Sequence, residues 1–214
     1  MSAVVQQIEA RISPQIETSD GFSIRKISVE DYEKMIDIGI FDEDDRIELL
    51  DGVIIEMNPK KTKHTIVNYL IGEFFFDNFR KQTIVRLQEP IILDDYSEPE
   101  PDAVLAHLPL LKYLETHPTA ADVMLVVEVF DTTLAKDRRK AFNYARAGIV
   151  QYLLFNLNTD EIEDYREPAA DGYRFKQTHD RTANFNLVAF PEVQIKVADL
   201  LPPVESAKSV EEMP

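Results

Sequence analysis

Apolar residues along the chain recur first at helical spacing and later in short strand-like runs. Residues 29–40 predict a helix with Tyr32, Met35, Ile36 and Ile38 or Ile40 on its apolar side. Residues 46–57 predict a hairpin, because Asp51-Gly52 can supply a tight turn between two apolar arms. The later predicted elements are a helix over 64–82, strands over 83–93, 102–106 and 122–130, a helix at about 133–147, and strands over 150–157, 161–167, 172–178 and 193–197. This order predicts a mixed α/β fold with a central sheet.

One glutamate interrupts the most apolar run of the chain. Positions 123–130 are VMLVVEVF, and the only polar residue among them is Glu128. A run this hydrophobic predicts a strand that is buried on both faces. Because an unpaired carboxylate in such a strand is costly or stays protonated, the pattern predicts that a metal ion or a basic side chain faces Glu128.

Length and composition predict one globular domain of the soluble type. The chain has 214 residues, of which 44% are hydrophobic, and it has no cysteine, which excludes disulfides and thiolate metal sites. The N-terminus lacks the basic start and apolar core of a signal peptide, and no stretch approaches membrane-spanning length, so we expect a cytoplasmic protein. Residues 1–24 are interpreted as an N-terminal arm and residues 201–214 as a flexible acidic tail.

The net charge argues against simple attraction to nucleic acid. The formal charge is −16, from 39 acidic and 23 basic residues. Such a chain repels DNA at long range unless its basic residues gather on one face. The two dense basic clusters are KKTK at 60–63 and KDRRK at 136–140, and either can equally be a solvated surface.

Acidic residues in apolar surroundings are the candidates for chemistry. Asp102 begins a short apolar strand directly after a proline, and Glu48 lies inside RIELL. Two carboxylates on neighbouring strands suit Mg²⁺, which prefers oxygen ligands and keeps several waters. Lys140 lies twelve residues after Glu128, on the following helix, and could pair with it instead of a metal; Tyr144 lies on the same helical face as Lys140.

These residue types fit metal-assisted phosphodiester hydrolysis. A bound metal polarises the phosphate and lowers the pKa of a bound water. A lysine can position that water or stabilise charge on phosphorus; as a general base, it would need its pKa lowered by burial or by the cation. Glu128 and Phe130 project to the same face of their strand, so a strand-borne lysine would occupy the place of Phe130.

An ordered set of motifs resembles a known family. The motifs are RIELLDGVIIEM, a histidine at 64, QEPIIL, SEPEPDAVLA, VVEVFDTTLAKDRRKAFNYARAGIVQYLLFNL, DYREP and GYRF. Together they resemble the Uma-two family of restriction-endonuclease-like proteins, which is similar to a branch of the PD-(D/E)xK nuclease superfamily. The resemblance runs from about residue 25 to 197.

The resemblance implies a fold, an activity and a set of site residues. It implies a restriction-endonuclease-like α/β domain over residues 25–200, with a mixed central sheet, flanking helices and added hairpins. It also implies a DNA endonuclease that uses Mg²⁺, or Mn²⁺ in its place. Asp102 and Glu128 are then the catalytic acids and metal ligands, and Glu48 is the upstream acid that supports the metal.

The resemblance also implies where the lysine lies. The plain superfamily pattern has a lysine two residues after the second acid, where this chain has Phe130, so Lys140 becomes the relocated catalytic lysine. Gln88 and Tyr144 match recurring family positions and are given supporting roles. His64 is interpreted as an N-terminal helix residue without a ligand role.

Two other functions stay open at this level. A catalytically inactive relative could keep the fold as an interaction or assembly module, which the acidic charge and Phe130 favour. Hydrolysis of a small phosphorylated or nucleotide substrate would avoid the need for a basic DNA-binding surface. For the endonuclease we expect a symmetric homodimer, because two such sites could address both DNA strands.

Overall fold

The computed structural model of the protein describes residues 15–17, 21, 23–42, 44–130 and 134–203. The predicted arm over residues 1–24 and the predicted tail over 201–214 lie largely outside this part of the chain. The helices are α1 (Val29–Asp37), α2 (Thr62–Phe79) and α3 (Leu134–Arg146). The strands are β1 (Gln15–Glu17), β2 (Ser23–Arg25), β3 (Ile47–Leu50), β4 (Val53–Glu56), β5 (Ile84–Leu87), β6 (Ala103–Ala106), β7 (Val123–Phe130), β8 (Gln151–Asn156), β9 (Glu161–Ala169), β10 (Gly172–His179), β11 (Asn184–Asn186) and β12 (Gln194–Lys196). Short 3₁₀ helices span Leu110–Tyr113, Ala120–Asp122 and Val197–Leu200.

A six-stranded mixed sheet forms the centre of the fold. Its strand order is β10-β9-β8-β7-β6-β5, and three two-stranded sheets lie outside it. Strands β7 and β8 are parallel, whereas the other neighbours in the sheet are antiparallel. The parallel pair requires a crossover, which α3 supplies between the two strands. The predicted mixed α/β sheet with flanking helices is thereby confirmed.

Two apolar layers enclose the central sheet. On one face, Val67, Ile71 and Phe75 of α2 pack against alternate sheet residues that include Val127 and Val129. On the other face, Tyr144 of α3 packs in a cluster with Phe130 and Val126 of β7. Because side chains alternate along a strand, Glu128 shares the α3 face with Phe130. The same parity explains why Glu128 meets α3 rather than α2.

Helix α1 is shorter and less buried than its hydrophobic pattern predicts. Ser28 caps its start, since the Ser28 Oγ accepts a hydrogen bond from the Asp31 N–H. The helix ends at Asp37 and buries only Val29 and Tyr32. The assignment of Ile36, Ile38 and Ile40 to a buried apolar side is wrong, because their exposed fractions are 46%, 74% and 56%. Two of these isoleucines follow the helix end, where helical spacing no longer applies.

The β3–β4 hairpin carries the first candidate acid into the core. Its turn residues Asp51 and Gly52 have φ values of 52° and 80°, the left-handed conformation that a tight hairpin turn needs. A Cβ at position 52 would also lie 2.5 Å from the Cβ of Lys26, so only glycine fits. Glu48, on β3 of this hairpin, is buried.

Among the described residues, no helix is long and apolar enough to cross a membrane.

Candidate active site

Lys140 connects two buried acids from different parts of the chain. Its Nζ lies 2.9 Å from Oε1 of Glu128 on β7 and 2.7 Å from Oε2 of Glu48 on β3. All three residues are buried. Tyr144 lies one helical turn after Lys140, and its hydroxyl donates a 2.7 Å hydrogen bond to the Glu128 Oε1. The structure therefore brings Glu48, Glu128, Lys140 and Tyr144 into one cluster, which we call the lysine cluster.

The lysine cluster fixes the protonation state of its amine. Burial acts to lower the pKa of Lys140, but the carboxylates of Glu128 and Glu48 outweigh it and raise the pKa above its ordinary value. Burial and the Glu128 carboxylate together raise the pKa of Tyr144 well above its ordinary value. Both side chains are therefore protonated donors at neutral pH. The requirement for a general base, a lowered lysine pKa, is not met by Lys140.

Asp102 lies in a separate group of hydrogen-bond donors. Its Oδ2 accepts from the backbone N–H of Val129 at 2.8 Å and lies 3.1 Å from His64 Nε2. Its Oδ1 accepts from Asn68 at 2.7 Å and from Gln88 at 3.3 Å. Burial acts to raise the pKa of Asp102, but the contacts with His64 and Asn68 outweigh it, and the pKa is lowered. Asp102 is therefore an ionised, buried carboxylate with donors on both oxygens.

The two principal acids are neighbours in the sheet, yet different helices hold them. Ala103 pairs with Val127 across β6 and β7, which places Asp102 and Glu128 at adjoining positions of neighbouring strands. Asp102 bonds to His64 and Asn68 of α2, whereas Glu128 bonds to α3. The six predicted site residues thus form two groups, the lysine cluster and an Asp102 group that includes Gln88.

Gln88 reaches Asp102 through an uncommon backbone conformation. It follows the edge strand β5, and its φ of 55° lies in the left-handed region that non-glycine residues rarely adopt. Its backbone N–H donates to the Asp102 carbonyl at 3.1 Å, while its side-chain amide donates to the Asp102 carboxylate. Strained conformations of this kind concentrate at functional sites. The supporting role that the resemblance implies for Gln88 stays a prediction.

Three residues near the site were not predicted from the sequence to contact or influence Asp102: His64, Asn68 and Lys60. His64 and Asn68 are one turn apart on α2, and both contact Asp102. His64 lies in the first turn of the helix, as the sequence predicts, and the absence of a ligand role for it stays a prediction. Lys60 is half-buried; burial lowers its pKa, and the Asp102, Glu100 and Glu128 carboxylates oppose that shift. The signal for Lys60 was the basic run at 60–63, but nothing in that run separates a site lysine from a solvated one.

The acidic residues have the ligand chemistry of a divalent-metal site, but their side chains are not grouped around one metal position. Asp102, Glu128 and Glu48 offer only oxygen ligands, which is the preference of Mg²⁺. Within the described ranges, no three Asp, Glu or His side chains are grouped so that they could hold a metal ion. Asp102 already accepts hydrogen bonds on both carboxylate oxygens, and Glu128 accepts one from the Lys140 ammonium. The donor set thus fits Mg²⁺, provided that these internal donors move.

A strongly acidic cavity adjoins the site. It has a volume of ≈730 Å³ and is lined by Tyr32, Glu33, Ile36, Asp37, Phe41, Asp42, Asp45, Ile47, Pro90, Glu98, Glu100, Glu115 and His117. Glu100 links the cavity to the site, because Lys60, Glu48 and Asp102 all act on its carboxyl group. Burial nevertheless dominates and raises the pKa of Glu100. We call this space the acidic cavity.

Comparison with known proteins identifies the family. The sequence model of the Uma2 family, described as "Putative restriction endonuclease", matches residues 29–198. The chain belongs to the Uma2 family. This match covers both the lysine cluster and the Asp102 group, and it confirms the family resemblance of the motifs.

A solved structure supports the fold of this Uma2 chain. It is the crystal structure of a "putative nuclease belonging to DUF820" from Anabaena variabilis. The two structures align with a TM-score of 0.65 at 14% sequence identity, over 81% of this chain and 97% of the Anabaena protein. No curated protein matches the Uma2 chain. The shared fold therefore rests on structure, since the identity is too low to carry individual residues across.

Proposed function

We propose that the protein is a metal-dependent endonuclease that hydrolyses phosphodiester bonds in DNA. The observation that supports this most is the contact between Lys140 and Glu128. Glu128 lies on β7, which pairs with β6, the strand that begins directly after Asp102. Acid, acid and amine are the groups that phosphodiester hydrolysis needs, and family membership favours the same activity. The Lys140 amine comes from a helix, so Phe130 on the strand is no obstacle.

Asp102 and Glu128 are the residues that would hold Mg²⁺, or Mn²⁺ in its place. When bound, such an ion lowers the pKa of a water molecule and polarises a phosphate oxygen. Glu48 would act indirectly, because it forms a 2.7 Å ion pair with Lys140. Gln88 and Tyr144 would keep the carboxylates of Asp102 and Glu128 oriented. These are positioning roles rather than direct contacts with substrate.

Lys140 and Lys60 would have different roles in phosphodiester hydrolysis. In hydrolysis, the water gives up a proton as its oxygen forms a bond to phosphorus, the bond from phosphorus to the leaving sugar oxygen breaks, and the sugar oxygen gains a proton. Lys140 is held as an ammonium and can stabilise negative charge on phosphorus, but it cannot accept the proton from water. Lys60 has a lowered pKa and is therefore better suited than Lys140 to accept the proton from water.

Plasmid cleavage tests this proposal. Supercoiled DNA incubated with the protein and Mg²⁺ or Mn²⁺ should be nicked or linearised, and EDTA should prevent it. The variants Asp102→Asn and Glu128→Gln should each lower the rate at least about 100-fold, as expected for groups that act in the transition state. Glu192→Gln removes an exposed acid outside the site and serves as the charge-matched control. Cleavage that resists EDTA, or that survives in Glu128→Gln, contradicts the proposal.

A second candidate is a catalytically inactive module with the same fold. Two observations favour it: the Asp102 oxygens already accept hydrogen bonds from several internal donors, and the acidic cavity repels a polyanion from the adjoining surface. This candidate predicts no Mn²⁺ uptake at millimolar concentration by calorimetry. The endonuclease predicts uptake that disappears in Asp102→Asn.

The endonuclease proposal includes a symmetric dimer as its working form. A twofold axis would present two such sites to the two antiparallel strands of a duplex. Sedimentation velocity at micromolar concentration, with and without a short duplex, measures the assembly state directly. A monomer that makes double-strand breaks in one binding event would contradict this part of the proposal.

A further inference from the structure

The acidic cavity contains charge that the lysine cluster and the Asp102 group do not use. Seven of its thirteen lining residues are aspartate or glutamate. Its one basic lining residue within the described chain is His117, whose pKa is lowered by burial and by nearby Arg86, so that it is mostly neutral at pH 7. The cavity therefore concentrates negative charge without an internal counter-ion of matching strength.

Glu98 in the cavity wall lacks the partner that a buried carboxylate requires. Only 5% of its surface is exposed, and its Oε2 has no hydrogen-bond partner among the described residues. Its Oε1 lies 3.7 Å from His117 Nε2, beyond hydrogen-bond distance. Burial and the Glu33 carboxylate raise the pKa of Glu98 to about 7. A buried acceptor of this kind is costly unless something outside the described chain satisfies it.

The shape of the cavity excludes a single metal ion as its natural occupant. Metal ligands must converge to within about 2.0–2.6 Å of one centre. Instead, the carboxylates surround a space of ≈730 Å³, and the described residues contain no group of three that could hold a metal ion. That volume lies within the range of small-molecule sites, roughly 300–1,000 Å³. An occupant that carries several positive charges along its length would match this distribution of carboxylates better than one ion.

Apolar side chains alternate with the acids in the same wall. Tyr32, Phe41 and Ile47 line the cavity together with Glu33 and Glu98. Methylene groups can pack against these rings and branched chains, while ammonium groups reach the carboxylates. A hydrated inorganic cation would gain nothing from the apolar part of the wall.

We propose that the acidic cavity binds a linear aliphatic polyamine, with one ammonium group bonded to Glu98 and its methylene chain against Tyr32 and Phe41. This site lies beside the Asp102 group and does not require that the protein cuts DNA. A ligand there would neutralise the wall next to Glu100, which both regions share.

Isothermal titration calorimetry with spermidine tests the site in the full chain. Wild-type protein should bind spermidine at pH 8 with one site and more tightly than butylamine, which carries one charge. The Asp102→Asn variant, which lacks the proposed metal site, should bind spermidine more tightly than Mg²⁺. Glu98→Gln should weaken spermidine binding at least about tenfold, which corresponds to about 1.4 kcal/mol. Glu33→Gln, on the same wall, should weaken it as well.

Matched variants separate a built site from general attraction to an acidic protein. Glu192→Gln changes the net charge by the same amount as Glu98→Gln and should leave spermidine affinity unchanged. Asp102→Asn should also leave it unchanged, so failure of the endonuclease proposal and failure of the polyamine site are distinguishable. Equal weakening by Glu98→Gln and Glu192→Gln overturns the site, as does equal affinity of the Asp102→Asn variant, which lacks the proposed metal site, for Mg²⁺ and spermidine. Thermal melts of each variant establish that it is folded.

Discussion

The Lys140 ammonium lies 2.9 Å from the Glu128 carboxylate, in the interior of the protein. This contact explains how an acid is accommodated within the apolar strand β7. A second acid, Glu48, approaches the same amine from the β3–β4 hairpin. One cation therefore serves two buried anions, and the site depends on that cation more than on either acid.

Replacement of Lys140 by methionine should strongly destabilise the fold. Methionine keeps much of the volume but leaves Glu48 and Glu128 buried without their common cation. Breaking a buried ion pair from one side costs about 3–5 kcal/mol. Urea unfolding measures the loss. Lys34→Met, on an exposed pair with Glu30, is the control and should leave the free energy of unfolding almost unchanged. A loss below about 1 kcal/mol in Lys140→Met would mean that the buried contact is not formed.

Removal of the Tyr144 hydroxyl should cost less than removal of Lys140. Tyr144→Phe keeps the ring against Tyr152, at a centroid distance of 5.1 Å, and deletes only the donor to Glu128. Hydrogen bonds to charged acceptors contribute about 1.5–3 kcal/mol, so we expect a loss in that range by urea unfolding. Tyr69→Phe removes a hydroxyl of the same geometry from the exposed surface of α2 and should have little effect. Equal losses in the two variants would contradict a special role for Tyr144.

Replacement of Lys60, unlike that of Lys140, should affect cleavage more than stability. It is half-buried beside the Asp102 group, and no ion pair shorter than 4 Å joins it to another described residue. Lys60→Met should therefore change the free energy of unfolding by less than about 1 kcal/mol. If the endonuclease proposal holds, the same variant should lower plasmid cleavage at least about tenfold and move the pH dependence of the rate. Unchanged cleavage with an unchanged pH profile would exclude Lys60 from the chemistry.

Glu98 should make the protein less stable as pH rises through neutrality. Its folded pKa of about 7 exceeds the ordinary value of 4.5, so the folded state holds the proton more tightly than the unfolded state. The stabilisation from that proton is complete below pH 4.5 and is lost as pH rises from 4.5 through 7. Glu98→Gln should therefore gain stability relative to wild type as pH rises across this window, with no further gain well above it. Thermal melts at pH 4.5, 6, 7 and 8 measure the difference.

Spermidine offers a control for the same measurement. A polyamine bound at Glu98 should stabilise wild-type protein at pH 8 more than at pH 5, because the ligand requires the ionised carboxylate. If the stability of Glu98→Gln and of wild-type protein without spermidine changed in parallel from pH 4.5 to 8, the pKa of Glu98 would not be raised in the folded state.

The sequence was sufficient for features that arise from neighbours along the chain. The Asp51-Gly52 turn, the α2 and α3 helices, and the apolar strand β7 each follow from local spacing. The partnership of Lys140 with Glu128 also follows, because the crossover helix returns along the face to which Glu128 points. Strand parity and helical periodicity are enough for that inference.

Contacts between distant segments did not follow from the pattern. His64 and Asp102 are 38 positions apart, and neither periodicity nor charge says which polar residue of α2 faces a particular strand end. The gathering of acids around Glu98 has the same cause, since the acids that line the cavity come from segments that are distant in sequence, over residues 33–45, 98–100 and 115. Exposure of Ile38 and Ile40 was missed because the pattern does not mark where α1 ends.

Delivery of the amine by α3 makes the site sensitive to helical phase. An α-helix turns about 100° per residue, so shifting the register of α3 by one residue would swing Lys140 away from Glu128. A lysine on the strand itself would have no such dependence, but it would occupy the buried place of Phe130. The length of chain between Phe130 and Lys140 is therefore itself a determinant of the site, and single-residue insertions there should be tolerated far less than substitutions.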